Sequence, residues 1–337
     1  MAIPPGSLFN CKPARHAESV HVSGAAGGSR INNPKMISVI IPSYNSEKTI
    51  SNCLDSLKNQ SFPGEFEIIV VDSSRDRTPQ IIESDYPRFR LIHIKNRTDP
   101  GTARNIGLAR ARGDLIAFID ADCTAATNWL EKIEASHRSS YDIVGGIVKN
   151  SPESETLVGR AGYLSEFRDF LPGQYRQEVM HVPTCNISYK KRIFSEFGLF
   201  DGKFYPQEDL IFNYGVWQKG EKILLDPAIQ VWHRHRCRLD DFISHQYRIG
   251  VATTQVLKAI PLEGSFIARR PFLAMGLAPV ITLIKFLRTL RIFSKYQPEF
   301  IKERPLVLFI FALGLMSWAI GFAGSAASKS PGQFGTK

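Results

Sequence analysis

Two aspartates follow directly after a run of apolar residues: Asp120 and Asp122 stand at the end of the segment 114–119. Adjacent carboxylates at the point where a strand becomes a loop can bind a divalent cation, which then holds a diphosphate group. The cation neutralises the negative charge that builds up as a nucleoside diphosphate departs. Because an Asp-x-Asp pair on a solvated loop has no function by itself, the apolar run before it is the feature that indicates chemistry here.

Alternating strands and helices must position these carboxylates. Short, almost wholly apolar runs rich in β-branched residues predict buried strands, and segments with apolar residues on one face predict helices between them. The predicted strands are residues 37–42, 66–71, 89–94 and 114–119. The predicted helices are residues 47–60, 78–84, 101–112 and a fourth from Trp129 onward. This alternation predicts an α/β fold with a mainly parallel sheet flanked by helices.

Ligands of such sheets bind at the carboxyl ends of the strands. The polar residues of interest fall at those ends, with Tyr44 after the first strand, Asp72 after the second, and Asp120 and Asp122 after the fourth. This agreement between fold and chemistry predicts a single cleft at that edge of the sheet.

The second half of the chain is less regular. Residues 141–148 predict a strand, and a helix is expected around Leu164. Residues 222–225 and 229–232 predict two short strands. These elements would complete the sheet beyond its parallel half.

Positive charge is concentrated near the apolar end of the chain. The formal net charge is +10, and the segment 232–304 holds 13 Lys/Arg against 5 Asp/Glu. A basic segment beside apolar ones fits an anionic membrane surface, although a solvated basic face or a nucleic-acid patch has the same composition. Because the chain has no zinc-finger spacing and no aromatic RNP-like strand, we expect a membrane partner and no nucleic acid.

Two apolar stretches lie in the tail, residues 251–337. Residues 271–284 hold no charge but are short for a membrane crossing, whereas residues 305–328 are long enough. The positive-inside rule assigns the basic residues between the two stretches to the cytoplasm. We therefore expect one interfacial or re-entrant segment and one span, which anchor the protein to the cytoplasmic face of the cell membrane.

Two further features concern the cellular compartment. Residues 1–35 lack the continuous apolar core of a signal peptide and predict a disordered leader. The cysteines are odd in number, widely spaced and without a CxxC pair: Cys11, Cys53, Cys123, Cys185 and Cys237. This usage disfavours a disulfide framework and a structural zinc site, and it suits a reducing cytosol.

Six short motifs occur together in one order and spacing. They are SVIIPSYN at 38–45, IVVD at 69–72, GxARN at 101–105, DAD at 120–122, ED at 208–209 and VWH at 231–233. Together they resemble the motifs of the bacterial family 2 glycosyltransferases, which have the GT-A fold. The resemblance covers about residues 36–250, and it implies a nucleotide-binding half at 36–125 and an acceptor half at 126–250.

The resemblance implies a donor site for a nucleotide-diphosphate sugar. The residues that would line it are Pro42, Tyr44, Asn45, Asp72, Arg104 and Asp120. Pro42 and Tyr44 would shape the base pocket, with the Tyr44 ring packing on the base. Asp72 would accept a hydrogen bond from the base or the ribose, unless it only caps the turn. Arg104 would approach the diphosphate or hold the carboxylate cluster, unless it is a surface helix residue.

A divalent metal ion, Mn²⁺ or Mg²⁺, is also implied. Asp122 would bind it directly, and Asp120 would contact either the metal or the ribose. His233 matches a position that can supply a further ligand, although a lone histidine in this place is as often structural. We expect His235, two residues further on, to point to the other face.

The acceptor side of the resemblance rests on three residues. Asp209 would be the general base that deprotonates an acceptor hydroxyl, and it must lie within hydrogen-bond reach of that group. Glu208 would position the acceptor or the base, but the pair would also suit the acidic first turn of a helix. Asn186 would line the acceptor site.

The expected activity is inverting transfer of a single sugar, most simply from a UDP-sugar, to a hydroxyl acceptor that is lipid-linked or part of a cell-envelope glycan. The chain lacks the Gln-x-x-Arg-Trp signature of processive synthases, which favours single transfer. It also lacks the G-x-G-x-x-G of NAD enzymes and the Gly-rich phosphate loop of nucleotidyltransferases after the first strand. The alternative is a catalytically inactive, membrane-anchored scaffold of the same fold.

Overall fold

The computed structural model describes residues 36–328. The predicted leader, residues 1–35, lies outside the described residues, as does the end of the tail from residue 329 onward. Within the described residues one sheet holds nine strands. They are β1 (Ile37–Ser43), β2 (Phe66–Asp72), β3 (Arg90–His93), β4 (Leu115–Phe118), β5 (Cys123–Ala125), β6 (Ile143–Asn150), β7 (Gln177–Val179), β8 (Ile187–Lys190) and β9 (Ile223–His233).

Helices connect and cover these strands. They are α1 (Ile50–Lys58), α2 (Thr78–Asp85), α3 (Pro100–Leu108), α4 (Trp129–His137), α5 (Leu157–Glu166), α6 (Arg192–Phe197), α7 (Glu208–Gln218), α8 (Leu239–Ala259), α9 (Ser265–Ala268), α10 (Pro271–Tyr296), α11 (Pro298–Lys302) and α12 (Val307–Ala327). The strands and helices predicted for the first half are therefore confirmed, with ends that shift by a few residues.

The first four strands form the parallel half of the sheet, in the order β3-β2-β1-β4. Every residue of β1 is buried, which is why that strand is apolar throughout. Helix α3 packs closely on the sheet because it carries Gly107, where a Cβ would lie only 2.5 Å from Ile40 Cγ2. The parallel register brings the carboxyl ends of β1, β2 and β4 to one edge.

The second half of the sheet has mixed directions. Strand β8 pairs antiparallel with β4 and with β6, and β6 pairs parallel with β9. The prediction of a mixed sheet flanked by helices is confirmed, and the mainly parallel character holds for its first half. The remaining pairings, β5 and β7 with β9, are antiparallel.

The two short strands predicted at 222–225 and 229–232 are one strand, β9. The separation into two was wrong, because the residues between the two predicted strands are extended as well. The chain stays extended through Pro227 while the pairing with β6 shifts register between Gly145 and Ile147. A Cβ at Gly146 would collide with the backbone of Ile229, so a glycine is required where the strands approach.

An aromatic cluster lies under the second half of the sheet. Phe118 at the end of β4 meets the rings of Tyr189, Phe194 and Phe200 at centroid distances between 5.5 and 6.0 Å. Phe212 of α7 packs on Phe194 and Phe200. These contacts fix the start of α7 relative to the end of β4.

The tail forms a helical layer rather than isolated segments. α12 packs between α8 and α10, and α10 and α12 are long and apolar enough to cross a membrane. The apolar stretch 271–284 is only the first half of α10, because the helix continues through basic residues to Tyr296. The uncharged stretch is short for a crossing, as expected, but the helix that contains it has 26 residues and is long enough by length and composition.

The tail is also joined to the sheet domain. Phe293 of α10 packs edge-on against Tyr163 of α5 at 5.6 Å between centroids, and Arg160 of α5 donates to the Phe300 carbonyl. The boundary that we predict at residue 250 falls within α8. It remains a prediction for how the function divides along the chain.

Candidate active site

The loop after β4 carries the two aspartates to the edge of the sheet. Asp120 O accepts a hydrogen bond from Cys123 N at 3.0 Å, and this turn leads into β5. Because Cys123 pairs with His233 in the antiparallel β5–β9 ladder, Asp122 lies beside that histidine. Asp122 Oδ1 is 3.5 Å from His233 Nε2.

Arg104 holds two acidic segments together. Its Nη2 lies 2.7 Å from Asp120 Oδ1 and its Nη1 lies 2.8 Å from Glu208 Oε1, with only 4% of the side chain exposed. Burial alone would lower the pKa of Arg104, but the carboxylates of Asp120 and Glu208 raise it above its usual value. Of the two roles expected for Arg104, the geometry favours holding the carboxylate cluster, and the surface position is excluded.

The rest of the GxARN motif has a structural explanation. Helix α3 begins at an N-cap, Asp99, which accepts a hydrogen bond from Thr102 N at 2.9 Å. At Gly101 a Cβ would lie 2.9 Å from Glu208 Cγ, so the glycine lets Glu208 reach Arg104. Asn105 donates to and accepts from the backbone of Phe200, at 2.8 and 3.1 Å.

Glu208 is buried behind the cleft. Burial raises the pKa of its carboxyl to about 7, although Arg104 opposes the shift. Its Oε2 has no hydrogen-bond partner among the described residues. In this position Glu208 holds one side of the Arg104 guanidinium.

Asp209, at the first turn of α7, is partly exposed and held by backbone donors. Its Oδ2 accepts from Thr184 N at 3.1 Å and from Thr184 Oγ1 at 3.3 Å, and its Oδ1 accepts from Leu210 N at 2.8 Å. Glu208 and Asp209 thus form the acidic first turn that is expected of a helix. This structural role is compatible with a catalytic role for Asp209. Thr184 was missed in the sequence because nothing local links it to a residue 25 positions away.

The acceptor contact predicted for Asn186 is not supported, and this prediction is corrected. Asn186 is completely buried. Its Oδ1 accepts from Trp129 Nε1 at 2.8 Å, and its Nδ2 donates to the carbonyls of Ile147 and Ile229. The side chain joins α4, β6 and β9 inside the core and has no atom left for an acceptor.

The donor-side residues lie at the ends of β1 and β2. Pro42 is buried within β1, and the Tyr44 ring is covered by the Arg97 guanidinium at 4.6 Å from its centroid. Asn45 adopts a left-handed backbone with φ 51°, which asparagine tolerates better than most residues. Its Oδ1 accepts from Arg75 N at 3.0 Å, so Asn45 joins the loops that follow the two strands.

Asp72 turns inward at the end of β2. Its side chain is completely buried, and its oxygens accept from Ser74 N at 3.1 Å and Ser74 Oγ at 2.5 Å. His93 Nδ1 lies 2.8 Å from Asp72 Oδ2, and the His93 side chain is 37% exposed. The predicted hydrogen bond from Asp72 to a base is therefore not available in this structure. Of its two partners, which the sequence did not single out, Ser74 is buried and only His93 is partly exposed.

One group of side chains has the chemistry of a metal site. Ligand atoms of Asp122, Cys123 and His233 lie within 4.8 Å of one another. Burial raises the pKa of the Cys123 thiol well above its usual value. A thiolate is also a soft ligand, which Mn²⁺ and Mg²⁺ do not favour. A carboxylate and an imidazole suit Mn²⁺, and their 3.5 Å separation is close to the roughly 3 Å between adjacent ligands of an octahedral ion. The residues present fit a divalent cation.

The expectation for His235 was wrong. Its ring lies 4.5 Å from the His233 ring, between centroids, because residues two apart in an extended chain share a face. His235 is buried beside Phe167, and its Nδ1 is 3.8 Å from Glu166 Oε2. It therefore supports the His233 ring from behind.

Residues 38–198 match the family model "Glycosyl transferase family 2". This segment, a little under half of the chain, is similar to the family 2 glycosyltransferases. Among its relatives, the chain is 28% identical over 242 residues to the glycosyltransferase EpsJ of Bacillus subtilis, an alignment that covers 64% of this chain and 69% of that protein. It is 26% identical over 298 residues to a transferase of Methanococcus voltae named for dolichyl N-acetyl-alpha-D-glucosaminyl phosphate, covering 82% of this chain and 93% of that one.

The chain is also similar to solved structures. Staphylococcus aureus TarS in complex with UDP-GlcNAc matches with a TM-score of 0.49 and 20% identity, over 85% of this chain and 90% of that one.

Proposed function

We propose that the protein transfers a single sugar, with inversion, from a nucleotide-diphosphate sugar to a hydroxyl acceptor. The observation that carries the proposal is the bridge formed by Arg104 between Asp120 and Glu208. This bridge gathers acidic residues from two distant segments beside Asp209 and the Asp122–His233 pair. An inactive scaffold would have no need for a buried arginine that orders acidic groups at a cleft edge.

The donor would lie along the carboxyl ends of β1, β2 and β4. Tyr44 would pack on the base, and the loops joined by Asn45 would close around the ribose. Of the common bases we propose uracil, with GDP and dTDP donors as the alternatives. Asp72 would act indirectly, by holding Ser74 and His93 at the pocket.

Asp122 and His233 would hold a Mn²⁺ or Mg²⁺ ion, with Asp120 near enough to contact it or the ribose. When bound, such an ion neutralises charge on the diphosphate. Arg104 keeps Asp120 in a fixed position through a hydrogen-bonded ion pair of 2.7 Å. Preorganisation of this kind means that little reorganisation is needed when the sugar leaves.

Asp209 would accept the proton of the acceptor hydroxyl. As the acceptor oxygen forms its bond to the anomeric carbon, the bond from that carbon to the diphosphate oxygen breaks. The nucleoside diphosphate leaves with the electron pair, and the configuration inverts because attack is from the opposite side. Thr184 and Leu210 fix the carboxylate through hydrogen bonds, and a carboxylate has about four lone pairs, so it would keep one with which to accept the proton.

The acceptor would be lipid-linked or a cell-envelope glycan, used at the cytoplasmic face of a membrane. Support comes from the two apolar tail helices, and from the Methanococcus voltae relative, whose name includes a dolichyl phosphate acceptor. The lack of the processive signature supports transfer of one sugar.

A donor screen tests this function. The full chain is incubated with UDP-, GDP- and dTDP-sugars, with and without Mn²⁺, and nucleotide release and binding are measured. We expect metal-dependent release from a UDP-sugar, and a product whose anomeric configuration is opposite to that of the donor. Retention of configuration would refute the inverting mechanism. A complete lack of metal-dependent nucleotide binding would favour the scaffold.

A further inference from the structure

Helices α8 and α12 form one packed unit. Near the start of both helices Phe242 contacts Gly314, and near their ends Lys258 contacts Ala326. The two helices therefore run in the same direction. A Cβ at Gly250 would lie 2.1 Å from the Trp318 carbonyl oxygen, so these backbones are in close approach. Lys258 Nζ also donates to the carbonyls at the end of α12, at 3.2 Å to Ala326 O. Any movement of α12 into a membrane must therefore carry α8 with it.

Helix α8 is too polar to follow α12 across a bilayer. Its uncharged part is the nine residues 249–257, between Arg248 and Lys258. At 1.5 Å per residue this part is about 14 Å long, about half the roughly 30 Å of a hydrocarbon core. α12 alone is long enough to span, but the α8–α12 unit is not.

The outer side of the layer is apolar along the helix axes. Exposed side chains on α10 run from Phe272, which is 88% exposed, through Leu283 to Leu287. Exposed apolar side chains on α12 include Phe309 and Ile320. The α10 part alone covers sixteen residues, or about 24 Å of helix length. An apolar face of this length is shorter than the roughly 30 Å of a hydrocarbon core, and it fits a membrane on which the helices lie.

Charge on the same elements selects the kind of lipid. The segment 269–304, which contains α10 and α11, holds eight Lys/Arg and two Asp/Glu. Arg291, Lys295 and Arg304 are exposed. An apolar helix face with this excess of positive charge is complementary to an anionic lipid surface.

We propose that the tail is monotopic: α10 and α12 lie side-on in the headgroup layer of one anionic leaflet, and neither helix crosses the bilayer. This inference rests on the membrane association included in the proposed function, and it specifies how that association is made. It replaces the span expected from the length of residues 305–328 alone.

Side-on docking would bring the cleft to the level of the lipid headgroups. Gln207, directly before the first turn of α7, donates to Thr253 Oγ1 of α8 at 3.3 Å. Trp318 Nε1 of α12 lies at the same distance from that oxygen. The proposed base, Asp209, is thus two residues from a contact with the layer that docks. An acceptor hydroxyl close to a lipid phosphate would reach the cleft without leaving the membrane surface.

The first experiment determines topology in the full chain. An epitope is added after Lys337, and sealed inside-out and right-side-out membrane vesicles are treated with protease. We expect the epitope and the catalytic domain to be digested, or protected, together in each preparation. Protection of one while the other is digested would place α12 across the bilayer and overturn the proposal.

The second experiment measures binding to vesicles with and without anionic lipid. The triple substitution Arg291→Gln, Lys295→Gln, Arg304→Gln should weaken binding to anionic vesicles by between about tenfold and about a hundredfold. The matched control carries the same change in net charge on exposed residues of the sheet domain. It is Lys58→Gln, Arg88→Gln, Arg110→Gln. Equal loss of binding in both triples would mean that only net charge matters, and the proposed docking face would be refuted.

A third pair of variants tests the apolar contribution. Phe272→Ser with Phe309→Ser should reduce binding at least tenfold even at high salt, whereas Tyr175→Ser with Leu199→Ser, also exposed, should not. If the full chain binds no vesicles at all, both the docking mode and the membrane part of the proposed function fail. If the Phe pair instead separates a dimer in lipid-free solution and leaves vesicle binding intact, the face joins two copies and the proposal is wrong.

Discussion

The substitution Asp209→Asn separates a catalytic role from a structural one. In the wild type, one carboxylate oxygen accepts from Thr184 N and Oγ1, and the other accepts from Leu210 N. An amide has one accepting oxygen and one donating NH₂ group, so one of the two backbone N–H groups would face another donor. At this partly exposed position the lost hydrogen bond should cost about 1 kcal/mol, which lowers Tm by about 2–4 °C.

The effect on activity should be much larger than the effect on stability. Loss of a general base reduces the rate by about 10²–10⁴-fold, equivalent to about 3–5 kcal/mol in the barrier. The nucleotide contacts lie on other strands, so the donor Kd should change by less than about threefold. The assay is steady-state release of the nucleoside diphosphate with acceptor present, together with donor binding by calorimetry.

The control for Asp209→Asn is Asp85→Asn, which makes the same chemical change at an exposed helix end. It should leave both rate and donor affinity as they are in the wild type. If Asp209→Asn lowers the rate less than about tenfold, or weakens donor binding as much as it slows turnover, Asp209 is not the base. Another acid at the cleft would then have to take the proton.

Three further predictions concern the metal, the arginine bridge and pH. EDTA should abolish turnover. Asp122→Asn or His233→Ala should raise the Mn²⁺ concentration needed for half-maximal rate at least tenfold. An unchanged Mn²⁺ dependence of the rate in these variants would refute the site. Gly101→Ala should slow turnover, because the new Cβ would lie 2.9 Å from Glu208 Cγ and push it away from Arg104. The control Gly215→Ala should not, because its Cβ would meet no other part of the described residues within 4 Å. Burial raises the pKa of Glu208 to about 7, so the folded state retains a proton that the unfolded state loses from about pH 4.5. The free energy of unfolding of the wild type should therefore fall as pH rises from about 4.5 to about 7, whereas that of Glu208→Gln should not. Urea unfolding of the metal-free proteins measures this difference, and a difference that does not change with pH would contradict the shifted pKa.

Several parts of the fold could be predicted locally. A strand that is buried on both faces must be apolar at successive residues, and β1, β2 and β4 have that pattern. Their alternation with helices places the ends of these strands at one edge, so the position of Asp120 and Asp122 followed directly. The sequence also identified the tail as basic and apolar, because composition alone carries that information.

The sequence also determined which acidic segments matter, but it left their partners open. Arg104 was expected either at the diphosphate or at the carboxylates. Its actual partners, Asp120 and Glu208, are decided by the packing of α3 against the start of α7, which Gly101 permits. The membrane mode is a similar case: α12 has the length of a span, and only its packing on α8 shows that it cannot act alone.

Which polar side chains face the cleft was decided by tertiary structure. Asn186 and Asp72 have the residue types and positions of ligand-binding groups, yet both turn inward to satisfy buried donors such as the Trp129 indole and Ser74. Thr184, with no motif of its own, holds Asp209. The physical reason is that a buried polar atom must find its partner wherever the fold places one, and such partners come from strands and helices that are far apart in the sequence. Periodicity along the chain describes which face of an element is apolar, and it contains no information about those distant partners.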